Sequence, residues 1–162
     1  MKSSKDHAGV IAPPPLLALA AILIGLALDR LFPAYVLRVL LTREERIVVG
    51  AILILVSCGL GFPALFAFRK AGTHVEPWKP ASALVTGGVF RYLRNPMYVG
   101  VILFIAGLAV VLASDWMLVM TAVLALVIHF GVVKREERYL AAKFGESYRR
   151  YLDSVPRYGW PI

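Results

Sequence analysis

The residues able to do chemistry fall in two short stretches far apart along the chain. The first is Thr86-Gly87-Gly88-Val89-Phe90-Arg91-Tyr92-Leu93-Arg94-Asn95-Pro96-Met97-Tyr98-Val99-Gly100. Asn95 before Pro96 reads as a helix start. Asn is the N-cap and Pro takes the first helical position, where its missing N–H is not needed. The free amides of that turn, with the helix dipole behind them, suit an anion. Arg94 stands beside them, Tyr98 lies one turn further in, and Gly87-Gly88 lets backbone come close to a ligand. The same residues also describe an ordinary capped membrane helix, with Arg94 snorkelling to lipid phosphates and Tyr98 in the interfacial belt. The second stretch is Glu136-Glu137, adjacent carboxylates inside a basic run. They suit a cation, either an arginine or a positively charged ligand. A solvated helix face paired with Lys134, Arg135 or Arg138 is the alternative.

Two histidines complete the set. His129 lies in an apolar stretch seven residues before Glu136, which puts both on one face of a regular helix. An ionisable group there is a functional candidate, and a neutral, hydrogen-bonded ring lining a cavity is the expected form. His74 sits in Gly72-Thr73-His74-Val75. Three scattered histidines and one cysteine, with no His-x-x-His, give no metal site. Cys58 reads as a buried, inert thiol, and Asp115 as a turn or N-cap residue. Phosphate-cradling, dinucleotide and nucleophile-elbow motifs are missing, as are the aromatic-interleaved basic patches of nucleic-acid binders.

What must position these residues is a membrane bundle. The chain has 162 residues, 59% apolar and 17% charged, with a mean hydropathy of +0.73. Soluble proteins average about 45–50% apolar residues. One all-α, multi-pass transmembrane domain over 1–162 is predicted. Apolar runs cover 16–32, 47–68, 97–113 and 116–133. Crossing a bilayer takes about 20 residues, so the second and fourth are comfortable spans, while the first and third need their flanks. The prolines at 13–15 argue against a cleaved leader, and the first run is kept as a span. Ser114-Asp115 alone separates the third run from the fourth, which predicts a tight helical hairpin. Gly100 and Gly107 in the third run permit close helix contact.

Four spans place both termini on one side. Arg30, Arg38, Arg43 and Arg46 then face the other, and the remaining 14 of 18 basic residues lie with the termini. The Lys/Arg bias makes that side cytoplasmic. The net charge of +8 therefore reflects membrane orientation and anionic headgroups rather than nucleic acid. In the tail, Leu140, Phe144, Tyr148 and Tyr151 recur on one helical face. A single amphipathic helix on the membrane surface, or capping the bundle, is predicted. The cytoplasmic mouth thus gathers Arg94, Tyr98, His74 and Glu136/Glu137.

These residues also form a pattern. Leu84-Val85-Thr86-x-Gly88 leads into Arg94-Asn95-Pro96-x-Tyr98-x-Gly100. Glu136-Glu137-x-x-Leu140-x-x-x-Phe144-Gly145-x-x-Tyr148-x-x-Tyr151-x-x-x-Val155-Pro156 follows. Together they resemble the isoprenylcysteine carboxyl methyltransferases and the related phospholipid N-methyltransferases. The likeness covers 73–156; residues 1–72, the first two spans, match only in being hydrophobic. It implies an integral-membrane enzyme using S-adenosylmethionine, held at the cytoplasmic end of the helical hairpin rather than on a Rossmann sheet. It further implies a cofactor site of His74, Leu84, Val85, Gly88, Tyr92, Arg94, Asn95, Pro96, Tyr98, Gly100, Glu136 and Glu137. Arg94, Glu137 and Tyr98 would act at the reacting centre, and Tyr148 with the tail would close the pocket. A lipophilic acceptor would enter from the bilayer, in a bacterial cytoplasmic membrane. Where the isoprenylcysteine enzymes have His, this chain has Asn95, which cannot titrate, so the acceptor class is left open. Phospholipid N-methylation, and a lipid-binding module without catalysis, are the alternatives.

Overall fold

Three consecutive prolines cannot lie inside a helix but can open one. In the computed structural model, which describes residues 6–159, helix α1 (Pro14–Leu31) begins there. A short helix α2 (Val36–Leu40) precedes the long α3 (Arg43–Lys70). A capping box opens α3: the Thr42 hydroxyl accepts from the Glu45 amide, and the Glu45 carboxylate accepts from the Thr42 amide. An irregular connection then ends in a 3₁₀ turn, Gly88–Arg91. Helices α4 (Pro96–Leu112) and α5 (Asp115–Ile128) form the predicted hairpin through Ala113 and Ser114. A π-helical segment, His129–Val133, runs directly into α6 (Lys134–Phe144), and α7 (Glu146–Ser154) follows.

The protein is a multi-pass helical membrane bundle. Helices Pro14–Leu31, Arg43–Lys70 and the continuous rod Asp115–Phe144 are long and apolar enough to cross a bilayer. The fourth apolar helix, α4, has 17 residues, or about 25 Å at 1.5 Å per residue. Lipid offers helices no hydrophobic reason to associate, so small residues must let backbones approach. A Cβ on Gly25 of α1 would lie 2.5 Å from the Met117 Cα of α5. Between α3 and α4, a Cβ on Gly107 would lie 2.8 Å from the Gly50 carbonyl oxygen, and one on Gly100 would lie 3.3 Å from that of Ser57. Gly100 and Gly107 thus serve the close contact expected of them.

Polar side chains tie the hairpin turn to its neighbours. The Asp29 carboxylate accepts from the Ser114 hydroxyl and the Trp116 amide. Asp115 accepts from the amides of Val36 and Leu37 at 3.0 and 2.9 Å. It therefore caps α2 rather than its own turn, where Ser114 is the cap. Two further readings need correction. Cys58 is half-buried, because α3 packs along α4 on one side only. The tail is two helices, because Gly145 adopts φ +55° and breaks the rod. The apolar face nevertheless survives the break: Leu140, Phe144, Tyr148 and Tyr151 share one core with Ala64, Phe90 and Val155. It caps the bundle end, and residues 6 and 159 both lie at that end.

Adding a methyl at Gly25 must force backbone apart, at a typical cost of about 1–3 kcal/mol. Gly59 of α3 faces open space, where Gly→Ala should gain up to about 1 kcal/mol. Thermal unfolding in detergent should therefore show Gly25→Ala clearly destabilised and Gly59→Ala unchanged or improved.

Candidate functional site

The start of α4 is held by the chain's last described residues. The Arg94 amide donates to the Pro156 carbonyl at 3.0 Å, and the Asn95 side-chain amide donates to the Arg157 carbonyl at 3.2 Å. Asn95 does occupy the N-cap position, but its side chain makes no capping bond. The tail lies close enough to claim that amide, so the buried Asn95 side chain fastens two segments together. Pro96 sits fully buried at the first helical position.

Opposite this helix start stand the two carboxylates of α6. Arg157 grips Glu137 with both prongs of its guanidinium, Nε to Oε1 at 3.0 Å and Nη2 to Oε2 at 2.8 Å. Arg94 approaches the same carboxylate from α4, Nη2 to Oε1 at 3.5 Å. Both Glu137 and Arg94 are closed in, with side chains 12% and 11% exposed. The Arg94 Nε is buried and has no hydrogen-bond partner. Glu136 is treated differently: the Tyr98 hydroxyl donates to it at 2.8 Å, and among the described residues it forms no ion pair. The two helix ends thus meet through Tyr98–Glu136 and Arg94–Glu137.

The π segment sets this arrangement. Its turns take in more residues than α turns, so the helix phase slips between His129 and the glutamates. His129 is hydrogen-bonded, as expected, but the face it would share with Glu136 on a regular helix is interrupted by the π segment. Its Nδ1 lies 2.8 Å from the Tyr158 hydroxyl, next to the Arg157 that grips Glu137. Such segments recur at functional sites.

A cavity partly open to solvent lies between these elements. Of the residues proposed from sequence, His74, Leu84, Val85, Arg94, Asn95, Glu136 and Glu137 line it, and Tyr148 closes it with α7. Tyr92 does not: it is 74% exposed, because the 3₁₀ turn before it swings the ring outward. Gly88 is the pivot of that turn at φ +62°, Pro96 packs in the interior, and Gly100 meets α3 instead. Tyr98 stands behind the wall, on Glu136. Sequence reasoning missed Arg157, Phe68, Tyr139 and Tyr151. Tyr151 donates to the Phe90 carbonyl at 2.7 Å, and burial raises its hydroxyl to about 12. Burial also raises Tyr148, so both phenols keep their protons as fixed walls. The hydrogen bonds to Glu137 hold Arg157 even more firmly protonated than an ordinary arginine.

The remaining wall is built by two loops. Thr73 Oγ1 accepts from the amides of Ser82 and Ala83, closing the segment that carries His74. The N-terminal segment crosses the rod. Ile11 donates its amide to the Gly131 carbonyl, and its side chain fills the space that a Cβ on Gly131 would need. Asp6 accepts from Lys143 at 2.7 and 2.8 Å and from Tyr139 at 2.8 Å.

Comparison with known proteins fits this geometry. A family model described as phospholipid methyltransferase matches residues 45–147. The Protein-S-isoprenylcysteine O-methyltransferase of Schizosaccharomyces pombe is 31% identical over 105 residues, 63% of this chain and 40% of that protein. Protein-S-isoprenylcysteine O-methyltransferases B and A of Arabidopsis thaliana are 29% and 30% identical, over 68% and 65% of this chain and 53% and 55% of their own lengths. The chain thus spans about half, or less, of these curated relatives. No solved structure matches. Residues 148, 151, 157 and 158 of the site lie beyond the family match.

The Lys143 hydrogen bond, then that of Tyr139, lowers the Asp6 carboxyl below its usual value of 3.8. A depressed carboxyl contributes above its unfolded value and loses that contribution as pH falls through the folded one. The N-terminal segment should therefore stay docked at neutral pH and come loose only below about pH 4. Limited proteolysis of Asp6→Asn should show at pH 7 the looser segment that the parent shows only in acid.

Proposed function

From the premise that the chain belongs to the phospholipid methyltransferase family, we propose that it transfers a methyl group from S-adenosylmethionine to a lipophilic acceptor within the membrane. The observation that carries this reading is the buried Arg94 Nε, without a partner, on a cavity shared with two carboxylates. A buried polar group without a hydrogen bond costs about 1–3 kcal/mol, and a ligand acceptor relieves it. S-adenosylmethionine carries a carboxylate for Arg94, an ammonium for the glutamates, and an adenosine for the apolar wall of Phe68, Leu84 and Val85. When bound, it supplies a methyl group on a positively charged sulfonium.

What the chain contributes is alignment and exclusion of water, and orientation of this kind lowers barriers by up to about 7–11 kcal/mol. Arg94 binds the ligand carboxylate. Tyr98 fixes Glu136, and Arg157 fixes Glu137, so both side chains are held from rotating. Tyr148 closes the site against water from α7. The relatives' name, an O-methyltransferase of S-isoprenylcysteine, favours a lipophilic acceptor methylated at oxygen, which at a carboxylate needs no base. An amine acceptor is the second reading, favoured by Glu136 having no counter-ion among the described residues. Such an acceptor must lose a proton, and Glu136 takes it. Glu137 is not that recipient, because both its oxygens accept from Arg157. The acceptor enters from the bilayer beside Phe130, which is 59% exposed. This face is the cytoplasmic one, given where 14 of the 18 basic residues fall.

Isothermal titration of the purified protein with S-adenosylhomocysteine tests the reading. The expected outcome is saturable binding that Glu137→Gln abolishes, with helical content unchanged by circular dichroism. A folded protein that binds none of it contradicts the proposal.

A further inference from the structure

Glu137 is approached by two arginines, yet they are not equivalent. Arg157 takes one lone pair on each oxygen in the planar fork geometry that makes guanidinium–carboxylate pairs strong. Arg94 is left with one charge contact at 3.5 Å and an unpartnered Nε. A carboxylate accepts several hydrogen bonds but offers only one bidentate edge. Whichever arginine holds that edge leaves the other unsatisfied.

Arg157 is delivered to that edge by a rigid stretch of chain. Its carbonyl accepts from Asn95, and the carbonyl before it accepts from the Arg94 amide. Val155 is buried in the core beside α7, and the Tyr158 hydroxyl is anchored on His129. Arg94 lines the cavity, whereas Arg157 does not. Arg157 therefore touches no ligand there and acts only through Glu137.

We propose that Arg157 is a positioning residue that occupies the bidentate edge of Glu137 so that Arg94 stays available to a ligand carboxylate. Remove Arg157, and the nearest acceptor for the Arg94 fork is Glu137 itself. An internal ion pair then replaces the ligand contact. The inference rests on the S-adenosyl ligand proposed above, and it assigns a task to the tail beyond the family match.

The test compares two probes on the full chain by isothermal titration. One is S-adenosylhomocysteine. The other is its decarboxylated analogue, S-adenosyl-3-thiopropylamine, which keeps the ammonium and adenosine. Arg157→Ala is expected to weaken S-adenosylhomocysteine about tenfold more than it weakens the analogue, the size of one charged hydrogen bond, because a looser Glu137 touches the ammonium of both probes while the Arg94 contact belongs to the first alone. Arg157→Lys restores the charge without the fork and should weaken the first probe about threefold relative to the analogue. It carries the same comparison should Arg157→Ala not fold. Equal weakening of both probes reduces the tail to a structural prop and overturns the proposal, as does no weakening of either. A parent protein that binds neither probe overturns the ligand assignment and this inference with it. Parent binding that is insensitive to residue 157 overturns the inference alone.

Discussion

Everything at the working end of this bundle depends on one carboxylate. Glu137 receives a guanidinium from the start of α4 and another from the chain's tail, and it sits on the last third of the continuous rod Asp115–Phe144. Three segments distant in sequence therefore meet at one charge. Breaking a buried pair by deleting one partner typically costs about 3–5 kcal/mol, since the other charge is left uncompensated. The arrangement consequently tolerates little drift. Hydrogen bonds from Asn95 and from the Arg94 amide to the tail hold it from below.

Geometry upstream serves that meeting. Glycine contacts bring α4 against α3, and α1 against α5, at distances no larger residue allows. The π segment then changes the phase of the rod before it reaches the glutamates, so Glu136 turns to Tyr98 and Glu137 to Arg94. Because the same segment carries the Ile11 contact at Gly131, the N-terminal strap rests on the point where the phase changes. At the far end, Asp29 and Asp115 use their carboxylates on backbone amides and a hydroxyl, which ties the hairpin to its neighbours.

Much of this was legible in the residues. Long apolar runs dictate spans, and two residues between the last of them dictate a hairpin. Arg94, Tyr98, Glu136 and Glu137 stand out because ionisable groups beside a membrane span need a reason to be there. Other features carry no local signal. Arg157 reads as one more basic residue in a basic tail, and only folding shows which carboxylate it meets. The π segment leaves no mark in the spacing of apolar positions, so a regular period puts His129 and Glu136 on one face without the phase slip between them. Tyr92 belongs to the motif by position, yet the turn preceding it points the ring to solvent. Asn95 has the chemistry of a cap, but its side chain is turned to the tail, where its amide donates to the Arg157 carbonyl and its oxygen caps nothing. Gly145 is the opposite case: the face across it is conspicuous, and that continuity hides the break.

The central claim, that Glu137 and Arg157 act as one unit joining the tail to the rod, is most directly measured by a double-mutant cycle. Glu137→Gln, Arg157→Gln and the double variant would be compared by thermal and denaturant unfolding in detergent. Groups in contact couple by about 0.5–3 kcal/mol, and a bidentate, largely enclosed pair should lie above about 1 kcal/mol, with the double variant far less damaged than the sum of the singles. Additive losses would contradict the account, because they would mean that the two side chains contribute independently and nothing is joined there.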